Sequence, residues 1–226
     1  MRIAIHQPNA VPWLGFFDKI RQVDGWVVLD HVPYTKNGPI NRSRILMNGQ
    51  PVWLTIPVRH PTLGTPIRDV RVADPDWWLH HQQTLLAAYG RSPHFQGVMS
   101  LLTPPRTDRL ADINLVRAER ILDALGIETA VWRSSMYPFQ ETKADLIREI
   151  CTRFCHAEYL SGAGGRAYLD PEEMWRCAAI RVTFQDYQHP VYPQMKNHGE
   201  FVPGLSIIDP LMNCGIDGTA ALLGVA

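Results

Sequence analysis

A loop of polar side chains, held by two prolines, follows the first predicted strand and is the strongest chemical signal in the chain. Ile3 and Ile5 predict a short buried strand, and His6, Gln7 and Asn9 follow where that strand ends. Ligands of open α/β sheets bind outside the carboxyl ends of the strands, and polar groups on a loop indicate function more strongly than core residues do. A histidine at a strand end suits a general base, a hydrogen-bond donor or a metal ligand. The alternative is that it only caps the strand.

A second candidate is a pair of arginines at the start of a predicted hairpin. Asn41 precedes Arg42 and Arg44, and alternation along an emerging strand places the two arginines on one side. Two guanidinium forks suit a phosphate or a carboxylate. Lys36 and Asn37 lie just upstream and extend the candidate binding region. The alternative is a solvated edge strand, on which charged side chains are common.

A third candidate is a glycine-rich turn after a predicted strand, formed by Ser161, Gly162, Gly164 and Gly165. Glycines let backbone N–H groups approach an anion closely. The turn has neither the Gly-Lys-Ser/Thr ending of a phosphate-binding loop nor the G-x-G-x-x-G pattern. Ser161 also lacks the G-x-S-x-G context of a hydrolase nucleophile. A flexible connection between strand and helix is the alternative.

Further candidates are a helix-borne histidine and two aspartates. Trp77 and His81 are four residues apart and share one face of a predicted helix, so His81 is a second candidate base, although a helix histidine is more often buried and satisfied. Asp30 ends the second predicted strand, where we expect it beside His6. Asp209 orients a histidine or caps a neighbouring element. The irregular segment before it carries His189 and His198 and could close over a pocket.

The bulk composition excludes several classes of protein. The 226 residues include 22 basic and 22 acidic side chains, a balance that argues against a nucleic-acid partner. No N-terminal run has the basic start, apolar stretch and small-residue cleavage site typical of a signal peptide, and no apolar run reaches membrane-spanning length. We therefore expect a cytoplasmic protein with reduced thiols. The cysteines have no second half-site for zinc, so we expect core thiols and no metal. They are Cys151, Cys155, Cys177 and Cys214.

The hydrophobic pattern predicts the elements that position these groups. We expect one α/β domain over residues 1–226, with a mostly parallel central sheet, flanking helices, a β-hairpin and a candidate helical sub-lobe at 75–125. The opening strand, helix and strand imply a parallel pair with a right-handed crossover. Predicted strands are 2–6, 26–30, 43–47, 52–58, 68–72, 128–132 and 180–184, and predicted helices are 14–23, 76–89, 108–125, 143–154, a short one starting at Asp170-Pro171, and 205–212 with a kink at Pro210.

The chain resembles the WbqC-like protein family, and the resemblance runs in order over nearly its whole length. Members of that family can carry Met at the position of His6, so His6 is a weaker candidate for an indispensable catalytic residue. The stronger candidates for the site are then Gln7, Asn41, Arg42 and Arg44. The matching stretches are His-Gln-Pro-Asn-x-x-Pro-Trp-Leu-Gly-Phe-Phe-Asp-Lys-Ile (6–20), Leu-Asp-x-x-x-Tyr-Thr-Lys-Asn (29–37), Asn-Arg-Ser-Arg-Ile (41–45), Trp-Leu-Thr-Ile-Pro-Val (53–58), Trp77 with His81 and Thr84, Leu-Gly-Ile (125–127), Tyr-Leu-Ser-Gly-x-Gly-Gly (159–165) with Tyr-Leu-Asp (168–170), and Phe-Val-Pro-x-Leu-Ser-Ile-Ile-Asp (201–209) with Asn213.

The resemblance implies a biosynthetic role in surface-polysaccharide or antibiotic and other specialised-metabolite pathways, with an amino sugar or similar amine as small-molecule substrate. Our first hypothesis is an acyl- or aminoacyltransferase without a tightly bound cofactor, which uses coenzyme A or a phosphopantetheine thioester on an acyl or peptidyl carrier protein. Arg42, Arg44 and Lys36 would anchor the donor phosphates, and His6 or His81 would accept the proton. Backbone N–H groups of the glycine-rich turn would stabilise the oxyanion. The alternatives are a nucleotidyl- or glycosyl-type transferase, a carrier-protein docking module, and a Cys214 nucleophile.

Overall fold

The computed structural model describes residues 1–154, 158–195 and 199–225. The predictions for Cys155 and His198 fall outside these residues. The strands are β1 (Arg2–His6), β2 (Gly25–Val28), β3 (Arg42–Met47), β4 (Gln50–Thr55), β5 (Ala130–Arg133), β6 (Glu158–Ser161) and β7 (Arg181–Phe184), and the helices are α1 (Leu14–Arg21), α2 (Trp77–Tyr89), α3 (Phe95–Leu102), α4 (Leu110–Ala124), α5 (Lys143–Arg153), α6 (Pro171–Ala178) and α7 (Ile208–Leu222), with short 3₁₀ turns at Ile67–Asp69, Ser134–Met136 and Ala163–Ala167.

The chain forms two compact units, and the first contains the parallel sheet. It comprises Met1–Gln7, Asp18–His31 and Glu128–Gln188. Within the described residues the sheet has five strands in the order β5-β2-β1-β6-β7, all parallel. The two central strands β1 and β2 are almost wholly buried, as expected for a parallel sheet covered on both faces. The predicted α/β class is confirmed, and the carboxyl ends of the strands meet at one edge.

The second unit contains the hairpin and most of the helices. It comprises Pro8–Phe17, Val32–Ile127 and His189–Ala226. The hairpin pairs β3 with β4 around the predicted turn, and Asn48 and Gly49 both have the positive φ of a type I′ turn. Ile45, Leu46 and Leu54 of the hairpin are buried, and β3 contacts α2 and α7. The hairpin is therefore fixed on one face by apolar packing.

Three predicted elements differ from the structure, and one helix was not predicted. The second arm of the hairpin, predicted at 52–58, is β4 at Gln50–Thr55. Residues 68–72 are not a strand, because the backbone hydrogen bonds of this segment are divided between two loops. Val70 and Val72 bond to Leu110 and Asp108, whereas the next residue after each, Arg71 and Ala73, bonds to Arg59 and Pro57. Helix α3 is additional. The last helix begins at Ile208 and runs to Leu222, and its break lies at Gly215 and not at Pro210. Gly215 has φ 74° and a side chain there would meet the His94 ring, whereas a proline in the first turn has no helical N–H to lose.

Candidate functional site

Two arginines of the hairpin flank an exposed tryptophan in the second unit. Trp53 lies directly opposite Arg44 across the hairpin, and its ring is 53% exposed. The guanidinium carbons of Arg42 and Arg44 lie 4.2 and 5.9 Å from the centre of that ring, within the range of cation–π attraction. The predicted placement of both arginines on one face is confirmed. Trp53 was not predicted as a site residue, although counting outward from the Asn48-Gly49 turn pairs position 53 with position 44.

A hollow of about 140 Å³ opens beside this arginine pair. Its walls come from the hairpin, from the loop after β1 and from the segment before α7. Most of the wall is apolar, which suits a ligand segment with few polar atoms. The residues that line it are Asn9, Ala10, Val11, Pro12, Trp13, Pro39, Arg42, Ser43, Arg44, Trp53, Gly204 and Ser206.

Two residues that line the hollow each carry a buried polar atom that no described residue satisfies. Asn9 Oδ1 and Arg42 Nε both lack a hydrogen-bond partner. Arg42 uses its Nη2 to donate to the backbone oxygen of Asn37, and Arg44 Nη2 donates weakly to the Gly204 oxygen at 3.4 Å. Leaving a buried polar group unpaired costs about 1–3 kcal/mol. The lining of the hollow therefore includes one acceptor and one donor whose hydrogen-bonding capacity the described residues leave unused.

The loop that forms one wall is strained and firmly held. Val11 has φ 32°, which is a genuine outlier for a β-branched residue. Ala10 donates its N–H to the Pro39 oxygen at 2.9 Å, and Ser206 donates its hydroxyl to the Val11 oxygen at 2.6 Å. Strained backbone that the surroundings hold in place clusters at functional sites. This loop therefore presents Asn9 to the hollow in one defined orientation.

Other predicted residues of the second unit lie outside the lining of the hollow. Lys36 is exposed. Asn41 donates its amide N–H to the Ile56 oxygen at 3.0 Å, and its own side-chain oxygen is buried without a partner. His81 Nε2 lies 2.8 Å from the Thr55 oxygen, and its ring packs edge-on against Trp77 at 4.9 Å. Burial lowers the pKa of His81 to about 4, so its imidazole is neutral at pH 7.

Asp209 is fully buried and anchors two tyrosines. Tyr89 and Tyr192 donate their hydroxyls to its carboxylate at 2.7 and 2.8 Å, with Gln194 at 3.4 Å. The Tyr89 oxygen in turn accepts the backbone N–H of Leu46 at 2.9 Å. Burial raises the pKa of Asp209 despite these hydrogen bonds. Asp209 therefore ties the hairpin to α2, to α7 and to the segment before it.

His189 belongs to a cluster of rings in the same unit. It stacks at 6.2 Å between Trp13 and Tyr192, and Phe201 lies 5.4 Å away. Its Nδ1 donates to the backbone oxygen of Pro190 at 2.9 Å. The irregular segment that we considered as a lid is held here by aromatic packing.

The remaining predicted residues belong to the first unit. His6 Nδ1 donates to the Gln7 oxygen at 2.9 Å, which leaves Nε2 with the lone pair of a neutral imidazole. Burial, with a smaller effect of the Lys19 charge, lowers the pKa of His6 to about 3. Asp30 is fully buried. Its carboxylate accepts hydrogen bonds from the last residue of β5, Arg133, and from the two serines that follow it, Ser134 and Ser135. None of the three was predicted as a site residue.

The glycine-rich turn closes on itself. Gly165 donates its N–H to the Gly162 oxygen at 2.9 Å, and Ser161 donates its hydroxyl to the same oxygen at 3.1 Å. A side chain at Gly165 would lie 2.0 Å from the Ser161 hydroxyl. Glycine at 165 is therefore explained by close packing, and its N–H is already used within the turn.

Acidification is expected to destabilise the protein. The pKa of His6 is lowered to about 3 and that of His81 to about 4, so between these values and about 6.5 the unfolded chain binds protons that the folded chain does not. Stability therefore falls as the pH drops from 7 toward 4, by up to about 1.4 kcal/mol per pH unit for each histidine. Chemical denaturation at pH 7 and pH 5 measures the loss.

Single substitutions isolate the two contributions. His6→Gln and His81→Gln are each expected to reduce the loss of stability between pH 7 and pH 5. The same substitution at exposed His60 is the matched control. A loss that is equal in all three variants and in the wild type would contradict this assignment.

Residues 1–154, 158–195 and 199–225 contain no group of three or more His, Cys, Asp or Glu side chains that could hold a metal ion. No helix within them is both long enough and apolar enough to span a bilayer.

The chain is similar to known proteins over nearly its whole length. It is 32% identical to the uncharacterized protein Rv1507c of Mycobacterium tuberculosis over 222 residues, which cover 96% of this chain and 95% of that protein. No solved structure matches it significantly. The WbqC-like protein family matches residues 7–221, which include all the predicted site residues except His6. The chain therefore belongs to the WbqC-like protein family, as its sequence stretches predicted.

Proposed function

We propose that the protein is an acyl- or aminoacyltransferase of biosynthesis. Its donor is a thioester on coenzyme A or on the phosphopantetheine of a carrier protein, and its acceptor is the amine of a sugar or specialised-metabolite intermediate. One observation supports this most strongly: a mostly apolar hollow of the second unit is lined by Asn9 and Arg42, each with a buried polar atom that no described residue satisfies, and by Arg44 and the exposed Trp53.

The chemistry of the hollow suits a phosphopantetheine arm. That arm is a narrow chain whose amides each offer one N–H and one C=O. Asn9 Oδ1 would accept the N–H, and Arg42 Nε would donate to the C=O. Arg42 and Arg44 would hold the phosphate oxygens, because guanidinium groups bind phosphate with charge-assisted hydrogen bonds. The exposed face of Trp53 would stack on the adenine of coenzyme A. A hollow of about 140 Å³ takes a segment of the arm, and the rest of the donor would lie along the hairpin.

The proposed reaction balances without a further reagent. The acceptor nitrogen attacks the thioester carbonyl, a C–N bond forms, the C–S bond breaks, and the thiol leaves with a proton. His81, which belongs to the same unit as the hollow, is the candidate proton acceptor, and its lowered pKa keeps its imidazole neutral at pH 7. A base with a pKa this far below the operating pH gives less than the usual benefit of about 10²–10⁴-fold. We therefore expect donor positioning to contribute more to the rate.

A donor and acceptor panel tests the proposal. Purified protein is incubated with acetyl- and glycyl-coenzyme A and a set of amino sugars, and amide products are measured by mass spectrometry. Asn9→Leu is expected to raise the KM for the donor about tenfold at similar kcat, because it removes one hydrogen bond to the bound arm. Failure of every thioester to react, or an unchanged donor KM in Asn9→Leu, would count against acyl transfer.

The exposed indole between two arginines also suits a second donor class. A nucleoside diphosphate would place its base on Trp53 and its phosphates on Arg42 and Arg44. Calorimetric titration with coenzyme A and with nucleoside diphosphates, each with and without Mg²⁺, separates the two classes. Tighter, Mg²⁺-dependent binding of the nucleotides would favour a nucleotidyl- or glycosyl-type transferase.

A further inference from the structure

A buried lysine without a counter-ion lies in the first unit. Lys19 stands in the last turn of α1 and is 4% exposed. Its ammonium forms no ion pair and no hydrogen bond within the part of the chain that the structure describes. Lysine is almost never buried this deeply unless it is paired. The position therefore needs an explanation that packing alone does not give.

The carboxylate beside Lys19 in the sequence is already occupied. Asp18 binds Arg21 at 2.9 Å, Gln22 at 2.7 Å and Gln185 at 2.7 Å. Burial is the cause that lowers the pKa of Lys19, to about 7, with no opposing carboxylate. A cation near a helix carboxyl end gains a little from the helix dipole, but this gain is smaller than the cost of removing an ammonium group from water.

The ammonium lies at the ligand-binding edge of the sheet. A Cβ atom built on Gly162 would be 4.0 Å from Lys19 Nζ, and Gly162 directly follows β6. His6 ends β1, and the charge of Lys19 lowers the pKa of that histidine. Strands β1 and β6 are parallel neighbours, so their carboxyl ends lie at the same edge. Ligands of open α/β sheets bind outside that edge.

We propose that Lys19, bordered by His6 and by the bare backbone of Gly162, binds an oxyanion of a small molecule, either a carboxylate or a phosphate. Glycine at 162 leaves no side chain over the ammonium. The oxyanion supplies the negative charge that no residue described by the structure places against the Lys19 ammonium. The proposal goes beyond acyl transfer and does not depend on it, because a lysine that binds an oxyanion serves any substrate that carries one.

Small anions test the site directly. The full-length protein is titrated with inorganic phosphate and with acetate, in a chloride background of matched ionic strength, and binding is followed by calorimetry and by the thermal midpoint. Lys19→Met is expected to weaken binding at least about tenfold, the loss of one charge-assisted contact. Lys143→Met is the matched control, because Lys143 is exposed. The titration is repeated in the Arg42→Ala, Arg44→Ala variant, so that phosphate bound at the arginine pair is counted separately.

A second measurement keeps the test valid if Lys19→Met folds poorly. Wild-type protein is acetylated with limiting acetic anhydride, with and without the anions, and each lysine is followed by mass spectrometry. Phosphate or acetate is expected to slow acetylation of Lys19 while Lys143 reacts at the same rate. Protection by phosphate alone identifies a phosphate subsite, and protection by acetate alone identifies a carboxylate subsite. Absence of protection by either anion, or equal affinity in wild type and Lys19→Met, would overturn the proposal.

Discussion

Replacing Arg42 and Arg44 together with alanine is expected to weaken coenzyme A binding about a hundredfold, which is the loss of two charge-assisted contacts of about 1.4 kcal/mol each. Both side chains are partly exposed and neither forms an ion pair within the described residues. The folded structure therefore should not depend on them, and the free energy of unfolding is expected to change by less than about 1 kcal/mol. Calorimetry at one fixed salt concentration measures the affinity.

The control removes the same charge elsewhere on the second unit. Arg91 and Arg106 are exposed arginines of that unit, and the variant Arg91→Ala, Arg106→Ala loses the same two charges. It is expected to bind coenzyme A within about threefold of wild type, since distant surface charges act weakly through screened electrostatics. Equal weakening in both double variants would show that net charge and not the arginine pair governs binding.

Asp209→Ala is expected to cost about 3 kcal/mol of unfolding free energy. The substitution leaves the buried hydroxyls of Tyr89 and Tyr192 without their acceptor, and each unpaired group costs about 1–3 kcal/mol. Because burial already raises the pKa of Asp209, removing the charge recovers part of the loss. Chemical denaturation at pH 7 gives the value.

Two further variants test whether the tyrosine hydrogen bonds to Asp209 cause the expected loss of unfolding free energy. Asp209→Asn keeps one acceptor oxygen and is expected to fall between wild type and Asp209→Ala. Asp217→Ala alters an exposed aspartate on the same helix and is expected to change stability by less than about 0.5 kcal/mol. If Asp209→Ala were as stable as Asp217→Ala, the two tyrosine hydrogen bonds would contribute nothing to the position of the hairpin.

The elements governed by local physics were predictable from the sequence. Asn48 and Gly49 take positive φ more readily than other residues, and that alone sets the turn and the register of the hairpin. Asp170 and Pro171 start α6 as predicted, because the Asp170 carboxylate accepts the N–H groups of Glu172 and Glu173. Gly126 ends α4 with φ 68°. Each of these signals acts over a few neighbouring residues.

The features that escaped prediction depend on residues far apart in the chain. Strand β1 pairs with β6, which lies more than 150 residues further along the chain. No local sequence pattern indicates which strand will be the neighbour of β1. In the sequence, Lys19 resembles an ordinary polar position on an apolar helix. Helix α1 is buried on nearly every side, so the burial of Lys19 is evident only from the folded structure. The tyrosine partners of Asp209 are 120 and 17 residues away. The buried role of that aspartate could not be read from its neighbours.

The most direct test of the central claim is a crystal structure of the protein with coenzyme A bound. Our account predicts phosphate oxygens in contact with Arg42 and Arg44, the adenine against the exposed face of Trp53, and the pantetheine arm in the hollow with an amide hydrogen-bonded to Asn9 Oδ1. Coenzyme A bound at another surface, while that hollow contains only water, would contradict it.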